Sequence, residues 1–296
     1  MNRTIPFFSV VIPCYNCEKI ILPTLKSLNT QKFRDFEVVF VNDGSTDNTI
    51  DILNSFQFDG IKKVISQENL GLGAARNTGI RNSVGFYVSL LDHDDIWEPE
   101  KLLVIYKILN DGKYDLVCHN EAVLNNHGET LRINKYGPFK TFYELYFNYN
   151  CLSPSAVTIS MTTFQKVGYF TEDESLWGVE DYDMWLRISL EKLKFKYVNQ
   201  VLGSYIMHGS NMSKAYRLYA SIEQLMINNI SNLDTTKNSV NKMIKVKFRN
   251  YYFQKIKHAI IKFYGFEVLR IFLQLLRCLF PARYCVAHLC RMSTKP

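Results

Sequence analysis

Short apolar segments alternate with segments of helical periodicity over the first 109 residues of the chain. Four segments rich in β-branched or aromatic residues predict strands: 8–12, 36–41, 64–66 and 86–91. Four helical segments lie between and after them: 18–29, 47–56, 73–82 and 99–109. Near-continuous apolar strands separated by helices predict an α/β fold with an open, mostly parallel sheet flanked by helices.

The pattern changes in the second half of the chain. It predicts further strands at 114–119, 156–160, 195–198 and 201–207, and helices at 139–149 and 180–190. From about residue 215 onward the chain is helical, basic and apolar. We therefore predict an α/β domain over residues 1–214 and a basic, amphipathic helical region over residues 215–296.

The positive charge is concentrated near the C-terminus. Residues 237–296 contain 13 Lys or Arg and one acid, whereas residues 1–236 contain 22 basic and 27 acidic residues. Residues 266–280 would place Glu267, Arg270, Gln274 and Arg277 on one helical stripe. Such a region either packs on the core with its basic face in water or lies on an anionic membrane surface. Nucleic acid is a poorer partner, because the body is acidic and no nucleic-acid motif accompanies the basic stretch.

Cysteine usage and hydropathy indicate the compartment. The seven cysteines are odd in number and scattered, with no secretory signal, which indicates reduced thiols in a cytosol. No uncharged apolar stretch reaches the roughly 18 residues that a membrane span needs. The expected location is cytoplasmic, with the basic region as the candidate contact to a membrane surface.

Polar residues follow three of the predicted strands. Tyr15 and Asn16 come after the first strand, Asp43 after the second and residues 92–95 after the fourth. Ligands of open α/β sheets bind beyond the carboxyl ends of the strands. We therefore expect these polar residues to share one cleft.

Asp43 and Arg76 each have two interpretations. Asp43 lies in a turn that either only precedes a helix capped by Asp47 or Ser45, or places the Asp43 carboxylate to accept the imide N–H of uracil, which cytosine lacks. Small residues in 71–79 are explained by helix–sheet packing, but Arg76 is not. Its guanidinium can pair with a diphosphate or order neighbouring carboxylates.

Three acids occur within the four residues Asp92 to Asp95. They form either an acidic turn before a helix or a site for a hard divalent cation, because clustered carboxylates repel one another. In the second case Asp94 and Asp95 are ligands, and substrate phosphates complete the coordination shell. Such a cation would neutralise a nucleoside diphosphate as it leaves.

Acids also begin the helix predicted at 180–190. They are favoured there by the helix dipole, but Asp181 or Glu180 could equally act as a general base towards an acceptor hydroxyl. Asp183 is expected to face elsewhere, because residues two apart do not share a helix face. His208, at the end of a predicted strand, is either a satisfied histidine or a neutral imidazole ligand of the metal.

Together these segments resemble family 2 glycosyltransferases, which have the GT-A fold. The matching segments are 10–16, 41–47, Asn69 with 71–79, 91–95, and Glu180-Asp181. Each is weak alone, but their order and spacing match over about residues 7–210.

The resemblance implies a role for each matching position. It implies that Pro13, Tyr15, Asp43, Asn69 and Arg76 surround the nucleotide, and that Asp92 and Asp94 are the DxD carboxylates, which meet ribose, diphosphate and Mn²⁺ or Mg²⁺. Asp95 adjoins them, Asp181 stands at the catalytic base, and His208 stands where some members add a metal ligand. The family inverts the anomeric configuration in a single displacement.

The resemblance also implies a reaction. The Gln-x-x-Arg-Trp signature and the membrane spans of processive members are absent from this sequence. We therefore expect addition of one sugar, preferably from a UDP-sugar, to a saccharide or lipid-linked saccharide, by analogy in bacterial surface-polysaccharide synthesis. Two alternatives are a sugar-nucleotide pyrophosphorylase and a non-catalytic scaffold or sugar-nucleotide-binding protein. The first needs a glycine-rich basic loop that residues 13–19 lack, and the second has no need of Asp92, Asp94 and Asp181.

Overall fold

The structure is a computed structural model that describes residues 5–138, 141–148, 152–191, 193–208, 217–261 and 271. The chain forms two compact units, which do not follow a single boundary in the sequence. The first comprises residues 1–145, 150–173 and 180–211, and the second comprises residues 146–149, 174–179 and 212–296. The basic stripe predicted at 266–280 lies outside the described residues, apart from Ile271. Within the described ranges, no helix has the length and apolar character needed to cross a bilayer.

Nine strands form one sheet, and nine α-helices are described around and after it. The strands are β1 (Phe8–Cys14), β2 (Phe36–Asp43), β3 (Ile61–Gln67), β4 (Tyr87–Leu90), β5 (Ile96–Trp97), β6 (Leu116–Leu124), β7 (Thr130–Asn134), β8 (Val157–Ser160) and β9 (Phe195–Ile206). The helices are α1 (Leu22–Asn29), α2 (Thr49–Ser55), α3 (Leu72–Arg81), α4 (Lys101–Leu109), α5 (Phe142–Asn148), α6 (Met161–Val167), α7 (Glu180–Leu190), α8 (Leu218–Asn228) and α9 (Asn238–Ile261).

The sheet has the strand order β3-β2-β1-β4-β8-β6-β9-β5, with β7 paired to β6. Strands β3, β2, β1 and β4 are parallel to one another, and β6 is parallel to β9. Strand β8 is antiparallel to both β4 and β6, and β5 is antiparallel to β9. The predicted α/β fold, a sheet flanked by helices, is confirmed.

The parallel half of the sheet is covered on both faces. Every residue of β1 and β2 is buried, so these strands show no alternation of polar and apolar residues. Helix α3 packs closely on this layer because Gly79 has no side chain. A Cβ atom at Gly79 would lie 2.3 Å from Cγ1 of Val11 and 3.3 Å from Cγ2 of Val41. Helix α3 therefore lies directly against the two central strands.

Three parts of the sheet differ from the sequence-based expectation. The sequence predicts two strands, at 195–198 and 201–207, but the structure has the single strand β9, which ends at Ile206. The pairing of β9 with β6 is irregular between His119 and Glu121. Strand β5 has two residues, too few for a periodic pattern. Strand β7 is exposed along most of its length, so it lacks an apolar face that could reveal it.

The close packing at Gly79 predicts a large effect of substitution. Gly79→Val should lower the free energy of unfolding by about 2–3 kcal/mol, because the added carbons must displace Val11 or separate α3 from the sheet. The measurement is urea unfolding followed by circular dichroism. Thr78→Val is the matched control, because it introduces the same side chain one residue away at a half-buried position. Equal stability of the two variants would contradict this packing argument.

Candidate active site

The loops that follow β1 and β2 are tied together by side-chain hydrogen bonds. Asn16 adopts a left-handed backbone conformation with φ of 45°. The side-chain oxygen of Asn16 accepts a hydrogen bond from the backbone N–H of Thr46 at 2.8 Å, and the backbone N–H of Asn16 donates to Ser45 Oγ at 3.0 Å. This arrangement leaves Tyr15 45% exposed at the carboxyl end of β1.

Asp43 ends β2 and is almost fully buried. Its carboxylate accepts hydrogen bonds from Gln67 Nε2 at 2.7 Å and from the backbone N–H groups of Leu70 and Gly71 at 3.0 and 2.9 Å. An ionised carboxylate offers about four acceptor positions, so about one remains for a ligand. Asp43 therefore orders the loop after β3, and the exposed residues Asn69 and Leu70 project from that loop.

Arg76 of α3 joins two carboxylates from distant parts of the chain. Its side chain is 2% exposed. Nη2 donates to Oδ1 of Asp92 and Nη1 donates to Oε1 of Glu180, each at 2.8 Å. The third guanidinium nitrogen, Nε, is buried and has no hydrogen-bond partner among the described residues. Arg76 thus fixes the tip of β4 against the start of α7.

Acids surround the Arg76 guanidinium and keep it charged. Burial acts to lower the pKa of Arg76, but the charges of Asp92, Glu180 and Asp181 outweigh it and raise the pKa. Because Asp181 contributes to this shift, its carboxylate lies near the same cation. Three carboxylates and one guanidinium therefore form one electrostatic group at this end of the sheet.

Ser155 holds the turn from Asp92 to Asp95 in place by hydrogen bonds. The backbone N–H of Asp92 donates to Ser155 Oγ at 3.0 Å, and the same hydroxyl donates to Oδ2 of Asp95 at 2.5 Å. The carbonyl of Ser155 accepts from Trp97 Nε1 at 2.8 Å. One buried serine, about 60 residues away in sequence, thus fixes both ends of the acidic turn.

The residue between Asp92 and Asp94 also has a structural partner. His93 Nδ1 pairs with the carbonyl oxygen of Pro13 at 3.0 Å. On α1, Thr24 Oγ1 lies 2.8 Å from the carbonyl oxygens of both His93 and Asp95. Pro13 therefore contacts the acidic turn through its backbone, whatever its predicted role beside a nucleotide.

Asp95 has a different setting from the one predicted for a metal ligand. Its carboxylate is 1% exposed, and it accepts from Ser155 and, at 3.4 Å, from the backbone N–H of Ile206. Burial, reinforced by the charges of Asp94, Glu121 and Asp92, raises the pKa of Asp95 well above its ordinary value. A buried, hydrogen-bonded carboxyl of this kind supports the turn, which favours a positioning role over ligation.

Asp94 and His208 meet at the open side of the turn. His208 Nε2 lies 2.7 Å from Oδ2 of Asp94, and both side chains are partly exposed. The pairing of β5 with β9 carries the end of β9 to the turn, because Ile96 lies opposite Ser204. Across the described segments, no group of three or more His, Cys, Asp or Glu side chains could hold a metal ion by itself. The two donors nevertheless suit Mn²⁺ or Mg²⁺ if phosphate oxygens complete the shell.

Glu180 and Asp181 begin α7 but have different surroundings. Glu180 is buried and bound to Arg76, whereas Asp181 is half-buried and accepts from the backbone N–H of Tyr182 at 2.6 Å. Asp183 pairs with Arg187 at 2.8 Å, which agrees with the expectation that it faces elsewhere. Of the two predicted bases, Asp181 is the better placed, because Glu180 is buried against the Arg76 guanidinium whereas Asp181 is half-buried.

The sequence analysis assigned no role to two residues that support the site. Asn77 follows Arg76 on α3; it accepts from the N–H of Phe170 at 2.9 Å and donates to the carbonyl of Phe170 at 2.8 Å and to Glu172 Oε1 at 2.7 Å. It thereby fixes the segment before α7. Ser155 follows Pro154 in a Ser-Pro-Ser sequence, which predicts a turn but not its partners.

The profile of a protein family described as Glycosyl transferase family 2 matches residues 9–167, more than half of the chain. The chain belongs to glycosyl transferase family 2. A second profile, described as the N-terminal domain of galactosyltransferase, matches residues 139–210. The two matches together span the acids of the turn, Glu180, Asp181 and His208.

Relatives in the family include long and short proteins. The chain is 30% identical to the chondroitin synthase of Escherichia coli over 221 residues, which cover 71% of this chain and 30% of that protein. It is 29% identical to the amylovoran biosynthesis glycosyltransferase AmsB of Erwinia amylovora over 212 residues, or 68% of this chain and 69% of AmsB. The chain thus spans less than a third of the chondroitin synthase.

Solved structures share the fold. TarS 1–349 of S. aureus, in complex with UDP-GlcNAc, superposes with a TM-score of 0.69 at 20% identity, over 92% of this chain and 81% of TarS 1–349. The mannosyltransferase PcManGT of Pyrobaculum calidifontis, in complex with GDP-Man and Mn²⁺, gives a TM-score of 0.62 at 15% identity, over 97% of this chain and 84% of that one. These similarities establish the architecture of the sheet and its helices.

The role of Ser155 can be tested without a substrate. Ser155→Ala should accelerate hydrogen exchange at the Asp92 amide by at least about tenfold, because the amide loses a buried hydrogen bond. Hydrogen–deuterium exchange of the peptide that contains the turn measures this change. Ser89→Ala is the matched control, since it removes another buried hydroxyl pair, Ser89 with Thr158, from the same sheet. Equal acceleration in both variants would mean that Ser155 supports only the fold.

Proposed function

We propose that this protein is an inverting glycosyltransferase that moves a single sugar from a nucleotide-sugar to a hydroxyl of a saccharide or lipid-linked saccharide. The observation that carries the proposal is the convergence of Asp92, Glu180 and Asp181 on the buried cation of Arg76. A pure binding scaffold has no need to hold several carboxylates together at one sheet edge. Family membership and the five ordered motifs support the same reaction class.

A UDP-sugar is the proposed donor. Asp43 keeps about one acceptor position beyond its three loop contacts, which suits the single imide N–H of uracil. Tyr15 and Asn69 are exposed beside the loops that Asp43 and Asn16 order, so they are available to base and ribose. The complexes of TarS with UDP and with UDP-GlcNAc support this choice of nucleotide.

Mn²⁺ or Mg²⁺ is the proposed cofactor, with Asp94 and His208 as its protein ligands. A bound divalent cation would stabilise negative charge on the departing diphosphate. Asp92 would face the ribose and diphosphate while Arg76 holds its other side. Asp95 and Ser155 keep the turn in shape, and the Mn²⁺ complex of PcManGT supports a metal in this fold.

Asp181 is the proposed general base. Its carboxylate takes the proton of the acceptor hydroxyl as that oxygen attacks the anomeric carbon of the sugar. The new carbon–oxygen bond forms on the face opposite the bond to the diphosphate, and the electron pair of that bond leaves with the nucleotide. The configuration is therefore inverted. Glu180 positions Arg76 rather than accepting the proton.

The acceptor and location are proposed from the relatives. Chondroitin synthase and the amylovoran glycosyltransferase AmsB are named for polysaccharides, which supports a role in bacterial surface-polysaccharide assembly. A lipid-linked acceptor would place the protein at the inner face of the cytoplasmic membrane. A basic C-terminal region that contacts anionic lipid would keep it there.

The metal assignment predicts the behaviour of Asp94→Asn. This variant should lose metal-dependent sugar transfer and metal-dependent hydrolysis of the UDP-sugar, because it removes one of two protein ligands while its fold survives. The measurement is UDP release from a donor panel, with and without Mn²⁺, with lipid-linked saccharides as acceptors. Asp51→Asn, the same change at an exposed position on α2, should retain wild-type turnover. Wild-type turnover in Asp94→Asn would remove the metal assignment, and no UDP release from any donor by the wild-type protein would favour a scaffold.

The base assignment predicts a different pattern for Asp181→Asn. Its kcat should fall at least about 100-fold, since the acceptor hydroxyl loses its proton acceptor. Binding of UDP, measured by calorimetry, should remain close to that of the wild-type protein. Asp183→Asn is the control, because Asp183 begins the same helix but pairs with Arg187. An unchanged kcat in Asp181→Asn would transfer the role of base to another residue.

A further inference from the structure

Helix α9 has an unusual distribution of charge. Its 24 residues include six Lys or Arg and no acid. On its buried side, Lys255 pairs with Glu223 at 3.1 Å, and the same glutamate accepts from Tyr252 at 2.6 Å. The charge of Lys255 is therefore balanced within the helical unit that contains α8 and α9. Two exposed cations, Lys242 and Arg249, have no acid on their own helix.

The exposed side of α9 also carries apolar side chains. Met243, Val246 and Phe253 are 44, 36 and 55% exposed. Their spacing of three and seven residues places them on one stripe of the helix. Lys242 and Arg249 are exposed next to this stripe. We call these five residues the α9 face.

A cavity opens along the α9 face. Its volume is about 440 Å³. Its lining consists of Phe147, Met243 and Val246 together with the polar residues Ser239, Lys242, Lys247 and Asn250. Three apolar side chains and two lysines suit a molecule that has a hydrocarbon part and an anionic part. A hydrocarbon segment could contact the apolar side chains while the exposed Lys242 ammonium group meets the anion outside.

We propose that the α9 face docks on an anionic phospholipid surface, with Met243, Val246 and Phe253 inserted between headgroups and with Lys242 and Arg249 on lipid phosphates. An apolar stripe bordered by cations is the pattern of interfacial helices. Nucleic acid fits less well, because the phosphate backbone would meet the apolar stripe rather than a basic groove. The proposal makes the proposed peripheral location specific, and it can be tested without any sugar transfer.

The test compares binding of the full chain to two kinds of vesicle. We expect co-sedimentation with vesicles that contain phosphatidylglycerol and little with pure phosphatidylcholine. Lys242→Gln with Arg249→Gln should weaken binding about 30-fold, since each cation near an anionic surface contributes about 1 kcal/mol. Met243→Ser with Val246→Ser and Phe253→Ser should also release the protein, because hydrocarbon contact is lost. Phe253→Ser alone gives a milder variant with less risk to the fold.

Control variants carry substitutions of the same kind at exposed positions elsewhere. Lys26→Gln with Lys107→Gln removes two exposed cations from α1 and α4, and Val84→Ser with Leu131→Ser removes two exposed apolar side chains. Both controls should bind vesicles like the wild-type protein. If the α9 variants bind vesicles like the wild-type protein, or if the controls lose binding equally, the α9 face is not the docking surface, but a peripheral location remains.

If the wild-type chain does not bind vesicles, or if it binds RNA with the same dependence on these residues, both the α9 face as a lipid-docking surface and the peripheral location are overturned. Release of UDP tests the proposed transferase activity separately.

Discussion

The geometry of the site depends on the ion pairs of the buried Arg76 guanidinium. Arg76 lies on α3, and its guanidinium binds one carboxylate at the tip of β4 and another at the start of α7. Removing one partner of a buried ion pair costs about 3–5 kcal/mol, because the remaining charge loses its compensation. The acids around it would repel one another without a cation, so Arg76 allows a cluster of negative charge to exist before any substrate arrives. Asn77, the next residue, binds the backbone that leads to α7 and so also helps to hold the start of α7 near α3.

The general fold was largely predictable from the sequence, for a physical reason. Strands β1 and β2 are apolar throughout because both faces of the sheet are covered, and helix α7 begins and ends at the residues that its pattern predicted. Short or exposed elements, in contrast, have no apolar pattern from which they could be predicted. Strand β5 exists because β9 offers it a partner, and that pairing is a property of the assembled sheet.

The site was predictable as a set of residues but not as a set of contacts. The strand-end rule brings Asp43 and the acidic turn to one edge, but it does not reveal that Arg76 binds Glu180 or that Ser155 binds Asp95. Partners separated by 60 to 104 residues depend on side-chain directions that a linear pattern does not contain. The same limit applies to Asp95, whose place in a run of acids predicts a ligand and does not reveal its burial or its hydrogen bond with Ser155.

The long separation between Arg76 and its partners has a consequence for how the protein is made. Strands β1 to β4 can pair as soon as the first 90 or so residues have left the ribosome, because their contacts are comparatively local. At that stage Arg76 and Asp92 already exist, but Glu180, Asp181 and His208 have not been synthesised. A nascent chain can therefore form the first part of its sheet well before all residues of the candidate active site have been made. Strand β9 is the last strand along the chain, and His208 lies just beyond its end.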